Sequence, residues 1–212
     1  LASEPLLIRH SHRPIRHWRR AVAGATGMAL LVGLTAAPVI AVVGALVGGV
    51  AAEAMTPLTI ALVGLLLQDT LRFAFVAGGR PSAALAIDLA WLATLAPTLL
   101  TLGTGADGAL TLAILAWGGT ALATAAVGLV VARVAPSPSA AVKWWRRHRD
   151  IGPRYVAEGL MSLAASQTTV IAVGAIVSLG SAGGLRGAQL LLGPMQVLLI
   201  GFSIVGIPEG VA

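Results

Sequence analysis

The chain contains no cysteine, which excludes disulfides and thiolate metal sites and leaves redox compartment undetermined. Charge is scarce as well. Only 10% of the 212 residues are Asp, Glu, Lys or Arg, against about 25% in a soluble domain, too little polar material to cover a soluble protein of this length. What fills the chain is apolar: 57% of its residues are hydrophobic and the mean hydropathy is +0.91. This composition reads as a membrane protein.

The net charge of +6 and a pI near 11.5 could suggest a nucleic-acid partner, but the placement of the charge argues against one. Basic residues cluster in segments that flank apolar runs, as expected where cytosolic loops retain Lys and Arg. Residues 1–20 hold five arginines and three of the four histidines and read as a cytosolic, interface-hugging segment with Trp18 at headgroup depth. His10, His12 and His17 offer imidazole, yet the neighbouring arginines repel a cation and Glu4 is the only nearby carboxylate. No metal and no cofactor are therefore expected. Arg19-Arg20 before an apolar run resembles a secretory signal, but the run of about 27 residues is too long for a signal core of roughly 7–15.

The fold expected is all-α, a polytopic bundle of about six spans. These are 21–47, 57–78, 82–102 and 108–131 in a first bundle (21–134), then 154–179 and 184–207 in the segment 154–212. A short loop containing Glu53 is expected between the first two spans. Residues 135–153, APSPSAAVKWWRRHRDIGP, read as a cytosolic basic linker held on anionic lipid, with Ser137 or Ser139 capping a short helix. With residues 1–20 inside, the cytosolic turns carry Arg9, Arg13, Arg16, Arg19, Arg20, Arg80, Arg133, Lys143, Arg146, Arg147, Arg149 and Arg154, and the opposite side keeps Arg186. That asymmetry supports both span count and orientation.

One stretch organises the rest: LLLQDTLRFAFVAGGRPSAALAIDLAWL, residues 65–92. It makes a helical hairpin turning at Gly78-Gly79-Arg80-Pro81, with Asp69, Arg72 and Asp88 inside its apolar arms. Such charges cost roughly 2.5–3.5 kcal/mol each at the centre of a span and persist where they are paired or line a polar cavity. A turn centred on Gly79 sets Arg72 level with Asp88, while Asp69 and Gln68 share the Arg72 face. The cluster either staples the hairpin or lines a hydrated cavity that takes a charged substrate group or a proton. Further polar stripes place Glu158 and Ser166 on the fifth span and Arg186, Gln189 and Gln196 on the sixth. Arg186 is either an interfacial anchor or an anion-binding residue. No catalytic set stands out, His148-Arg149-Asp150 reading as a solvated linker, so an enzyme is not expected.

The stretch Leu67-Gln68-Asp69-Thr70-Leu71-Arg72-Phe73-Ala74-Phe75, with Gly79-Arg80-Pro81, Ala84-Leu85 and Asp88-Leu89-Ala90-Trp91, resembles bacterial polysaccharide-export proteins. These are O-antigen-flippase-like members of the multidrug/oligosaccharidyl-lipid/polysaccharide (MOP) exporter superfamily. Glu4-Pro5-Leu6-Leu7 resembles the family segment after its second helix. Leu185-Arg186-Gly187-Ala188-Gln189, Gly193-Pro194 and Pro208-Glu209 resemble the start of its second lobe. The resemblance covers nearly the whole chain. It implies two helix bundles around a cavity that opens alternately to each side, with these spans as helices three to eight of a longer protein and residues 135–153 joining the lobes. It further implies a flippase for lipid-linked saccharide in the bacterial inner membrane, whose cavity charges, here Arg72 and Arg186 by position, meet pyrophosphate and sugars. Three other functions are weighed against it. A cation-coupled multidrug exporter of the same superfamily needs a hydrated acidic residue without a basic partner. A non-transporting scaffold for envelope synthesis needs Asp69, Arg72 and Asp88 mutually paired. A membrane transferase needs a cleft lined by His and carboxylates.

Overall fold

The structure, a computed structural model, describes residues 5–6, 9, 14–102, 108–178, 180–181, 183–185 and 188–189, without the side chains of 102, 163 and 166. The described residues are mostly helical, with no strand among them. The helices are α1 (Ile15–Val47), α2 (Gly49–Ala77), α3 (Pro81–Leu102), α4 (Ala109–Ala132), α5 (Pro138–His148) and α6 (Gly152–Ile176). All but α5 are long and apolar enough to cross a membrane, which makes this a multi-pass membrane protein. The expected sixth span, 184–207, lies almost wholly outside the described residues. The chain divides into two compact units, Leu1–Arg149 and Asp150–Ala212.

Starts and stops follow local chemistry. Proline opens α3 and α5 at Pro81 and Pro138, where its missing N–H costs nothing. Gly48 and Gly79 adopt φ of 72° and 67° at the two tight turns, a region that glycine enters without penalty. The Glu53 loop expected from the sequence does not exist. Gly48 and Gly49, both at positive φ, reverse the chain, and α2 begins at Gly49, so Glu53 is helical. Pro57 then lies inside α2 and cannot donate to the carbonyl four residues back, which is that of Glu53. Thr111 of α4 donates to this freed oxygen at 3.2 Å, a repair typical of prolines in membrane helices.

In the first unit α2 is the hub, packed against α1, α3 and α4. Small residues set the approach. A Cβ on Gly118 of α4 would overlap Ala61 of α2, and one on Gly64 would fall 2.6 Å from the Gly118 carbonyl. Backbones this close gain the van der Waals contact that drives association where the hydrophobic effect is absent. Farther along, Leu71 and Phe75 of α2 are fully buried beside Ile87 of α3 and Gly128 of α4.

The 33 residues of α1 span about 50 Å, well beyond a hydrocarbon core of about 30 Å. Its first turns therefore project from the apolar slab and carry Arg16, Arg19 and Arg20. Trp18, expected at headgroup depth, is packed against protein. It is 2% exposed, its Nε1 donates to the Ala74 carbonyl at 2.8 Å, and its ring tilts against Phe75. The protein has claimed this indole because the end of α2 offers a carbonyl beside Gly78, where no side chain blocks approach.

The basic segment after α4 is likewise part of the bundle. Ser137 caps α5, accepting from the Ala140 N–H at 3.3 Å, and its own N–H donates to Ala23 O of α1 at 3.0 Å. Ala141, Trp144 and His148 form the buried face, with Trp144 seated over Gly24. Val142, Lys143, Trp145, Arg146 and Arg147 stay exposed. Arg9 donates to the Arg147 carbonyl at 2.9 Å. Arg16, Arg20, Arg80, Arg133, Lys143, Arg146 and Arg147 are thus gathered, exposed, at one end of the first unit.

Candidate functional site

The turn at Gly78-Gly79 folds α3 back along α2. Arg72 stands two turns before that turn and Asp88 two turns after it, so the two side chains meet across the hairpin. Nε of Arg72 lies 2.8 Å from Asp88 Oδ2, and Nη2 donates to Oδ1 at 3.1 Å. The Nε contact is an ion-pair approach in which the hydrogen is not aimed along the short line, so Nη2 makes the directional bond. Gln68, one turn deeper and 2% exposed, donates to the same Oδ1 at 3.4 Å. Asp69 joins more loosely, its Oδ1 3.8 Å from Arg72 Nη1, beyond hydrogen-bond length.

Four residues expected from the sequence therefore come together: Gln68, Asp69, Arg72 and Asp88. Two carboxylates share one guanidinium. The cluster is also open, with side-chain exposures of 46% for Asp69, 37% for Arg72 and 31% for Asp88. Helix geometry sets it about 8–10 Å inside the turn, within the apolar arms. Arg72 spends one edge of its guanidinium on Asp88, and Asp69 flanks another of its nitrogens. A bare phosphate would meet both carboxylates there. A ligand rich in hydroxyl donors, or a proton, suits the arrangement better.

One turn beyond Asp88, Trp91 directs Nε1 to Thr120 Oγ1 of α4 at 3.1 Å, extending the polar edge of the hairpin. Sequence reasoning did not single out this pair, and only the α3–α4 packing brings it together. Arg80, at the turn, lies 5.7 Å over the Phe75 ring, a cation–π contact that holds the turn against the end of α2.

In the second unit Glu158 is exposed on α6 and lines a cavity of about 400 Å³ with Asp150, Ile151, Arg154 and Tyr155. Sequence reasoning named Glu158 but not these neighbours, although Asp150, Arg154 and Glu158 recur at the four-residue spacing of a helix face. Gln189 is described and half-buried. The side chain of Ser166, and Arg186 and Gln196 entirely, lie outside the described residues. Among the described residues no three His, Asp or Glu side chains gather to hold a metal ion. No protein-family model, curated protein or solved structure matches the chain.

Proposed function

We propose that the chain is part of a bacterial cytoplasmic-membrane flippase that exports lipid-linked saccharide by alternating access, with the two-lobe architecture of the MOP exporters. The observation that carries this reading is the open Gln68–Asp69–Arg72–Asp88 cluster inside an apolar hairpin. Ionisable residues at such depth mark substrate or ion pathways by default, and a third to a half of each charged side chain in this cluster remains accessible. The gathered basic end agrees with a cytosolic face held on anionic lipid. A cation-coupled exporter is less well supported, because Arg72 attends both acidic residues of the cluster.

One specific observation favours a second reading, a non-transporting scaffold: Asp69, Arg72 and Asp88 are mutually partnered. Charge exchange separates the two. In the full-length protein, Arg72→Asp combined with Asp88→Arg rebuilds the ion pair in reverse and should restore the protein level lost in either single variant. A flippase should nonetheless stay at least about tenfold down in an export complementation assay, since a substrate contact worth ~1.4 kcal/mol is lost. Full recovery of function with protein level would leave the pair a staple and the scaffold reading standing.

A further inference from the structure

The α1–α2 hairpin carries one proline in each arm, Pro38 and Pro57. Close contacts set its register, with Gly33 against Val63 and Gly44 against Ala52. Between those two pairs, Pro38 and Pro57 fall within about one residue, ~1.5 Å, of the same level. Each proline withholds an N–H from the carbonyl four residues back and crowds that carbonyl. Each is also preceded by a threonine that turns its hydroxyl onto its own helix: Thr35 donates to the Leu31 carbonyl and Thr56 to the Ala52 carbonyl, both at 2.8 Å. Such back-bonding slightly destabilises and bends a helix. Both arms are therefore weakest at one height.

Packing changes at that height as well. From Leu34 to Thr56 Gly44 is the one buried residue, whereas toward the basic end Val22, Ala25 and Ala29 of α1 and Ala61, Leu71 and Phe75 of α2 are all buried. Residues 39–56 nonetheless hold to each other. A Cβ on Gly44 would stand 2.8 Å from Met55 Cβ, and Gly48 and Gly49 close the turn at positive φ. Thr111 of α4 donates to the Glu53 carbonyl at 3.2 Å. Among the described residues no other hydrogen bond joins residues 39–56 to α3, α4 or α5. A self-packed tip beyond two aligned weak points is built as a hinged body, because a hinge needs a few positions that absorb the backbone change.

We propose that residues 39–56 form a flap that swings as one body about Pro38 and Pro57, at the end of the first unit away from the basic residues. Thr111 latches it by reaching the carbonyl that Pro57 leaves without its helical donor. One proline thus supplies both part of the hinge and the acceptor for the latch. The hinge does not rest on the flippase reading. In an alternating-access exporter it would be the moving part at that mouth.

The test is pulsed electron–electron resonance on the full-length protein in lipid nanodiscs, spin-labelled at Val50→Cys on the tip and Val127→Cys on α4, both exposed positions. A second pair, Ile60→Cys with Val127→Cys, has both labels on the basic side of the prolines and serves as the reference. Val50 stands about 10 Å beyond Pro57 along α2, so a swing of about 20°, the onset of a sharp kink, moves it by about 4 Å. The Val50–Val127 distances should therefore spread about 4 Å more widely than the reference distances. Pro38→Ala combined with Pro57→Ala should bring that spread down to the reference width. With both prolines in place, Thr111→Val should raise the displaced share about threefold, the scale of one hydrogen bond between membrane helices. A Val50–Val127 distribution as narrow as the reference in the protein with both prolines overturns the proposal. So does a wide spread that survives replacement of both prolines, and a displaced share indifferent to Thr111→Val overturns the latch.

Discussion

Arg72 of α2 and Asp88 of α3 meet side-on across the hairpin, Nε 2.8 Å from Oδ2 and Nη2 3.1 Å from Oδ1. The contact joins residues on opposite sides of a turn made by Gly78 and Gly79, so the reversal and the ion pair fix one register between them. A slip of one residue in either arm would rotate one charge by about 100° around its helix and leave the other facing lipid alone.

Arg72→Ala should therefore destabilise the protein more than its exposure suggests. The change strands two carboxylates within the apolar arms, for which a loss of about 3 kcal/mol is the relevant scale. Combining it with Asp88→Ala removes one of the stranded charges and should recover a large part of that loss. Melting temperatures in one detergent for both single variants and the double variant give the coupling. An additive double variant would mean that the two side chains touch without stabilising each other.

The register of that hairpin was legible in the sequence because everything that sets it is local: the turn residues, the apolar arms and the three charges lie within one short stretch. The same locality gave Ser137 or Ser139 as a cap, and Ser137 is the one that serves. What was not legible depends on distant partners. Trp144 and Trp145 are chemically identical neighbours, and the sequence of α5 cannot say which turns inward. Gly24 of α1, which leaves room for Trp144, decides it from more than a hundred residues away. The burial of Trp18 was not legible for the same reason, its acceptor being the Ala74 carbonyl. The Glu53 loop was expected together with a second span starting at about Pro57. Pro57 is instead an interior proline whose orphaned carbonyl is met by Thr111, a partner on another helix.

Thr111→Val should expose that repair. Removing the hydroxyl leaves the Glu53 carbonyl without its cross-helix donor, and hydrogen bonds between membrane helices contribute about 0.6 kcal/mol on average. In a Pro57→Ala background residue 57 regains its N–H and can serve the same carbonyl, so Thr111→Val should then cost nothing measurable. Equal losses in the two backgrounds would detach Thr111 from the proline.

Two adjacent glycines on α4 give an internal control for the close approach of α2 and α4. A Cβ on Gly118 overlaps Ala61, whereas a Cβ on Gly119 has nothing within 4 Å. Gly118→Ala should push the helices apart and lose about 1–3 kcal/mol, the usual scale of overpacking. Gly119→Ala should be neutral or stabilising by up to about 1 kcal/mol, since alanine suits a helix interior better than glycine. Thermal unfolding of the two variants side by side tests the packing, and equal effects would refute it.

Sidedness can be read from the same bundle because these 212 residues hold no cysteine, so each introduced thiol is unique among them. Ser139 is exposed on α5, at the end where Arg16, Arg20, Arg80, Arg133, Lys143, Arg146 and Arg147 are gathered. Val50, 72% exposed, stands just after the Gly48 turn, at the opposite end of α1 and α2. Positive residues are retained on the cytosolic side during insertion. In intact cells an impermeant maleimide should therefore label Val50→Cys and spare Ser139→Cys, and permeabilising the cells should make Ser139→Cys reactive. If Ser139→Cys reacts from outside while Val50→Cys is spared, the basic end faces outward, and a flippase taking its substrate from the cytosolic leaflet would need its entrance at the Gly48 end instead.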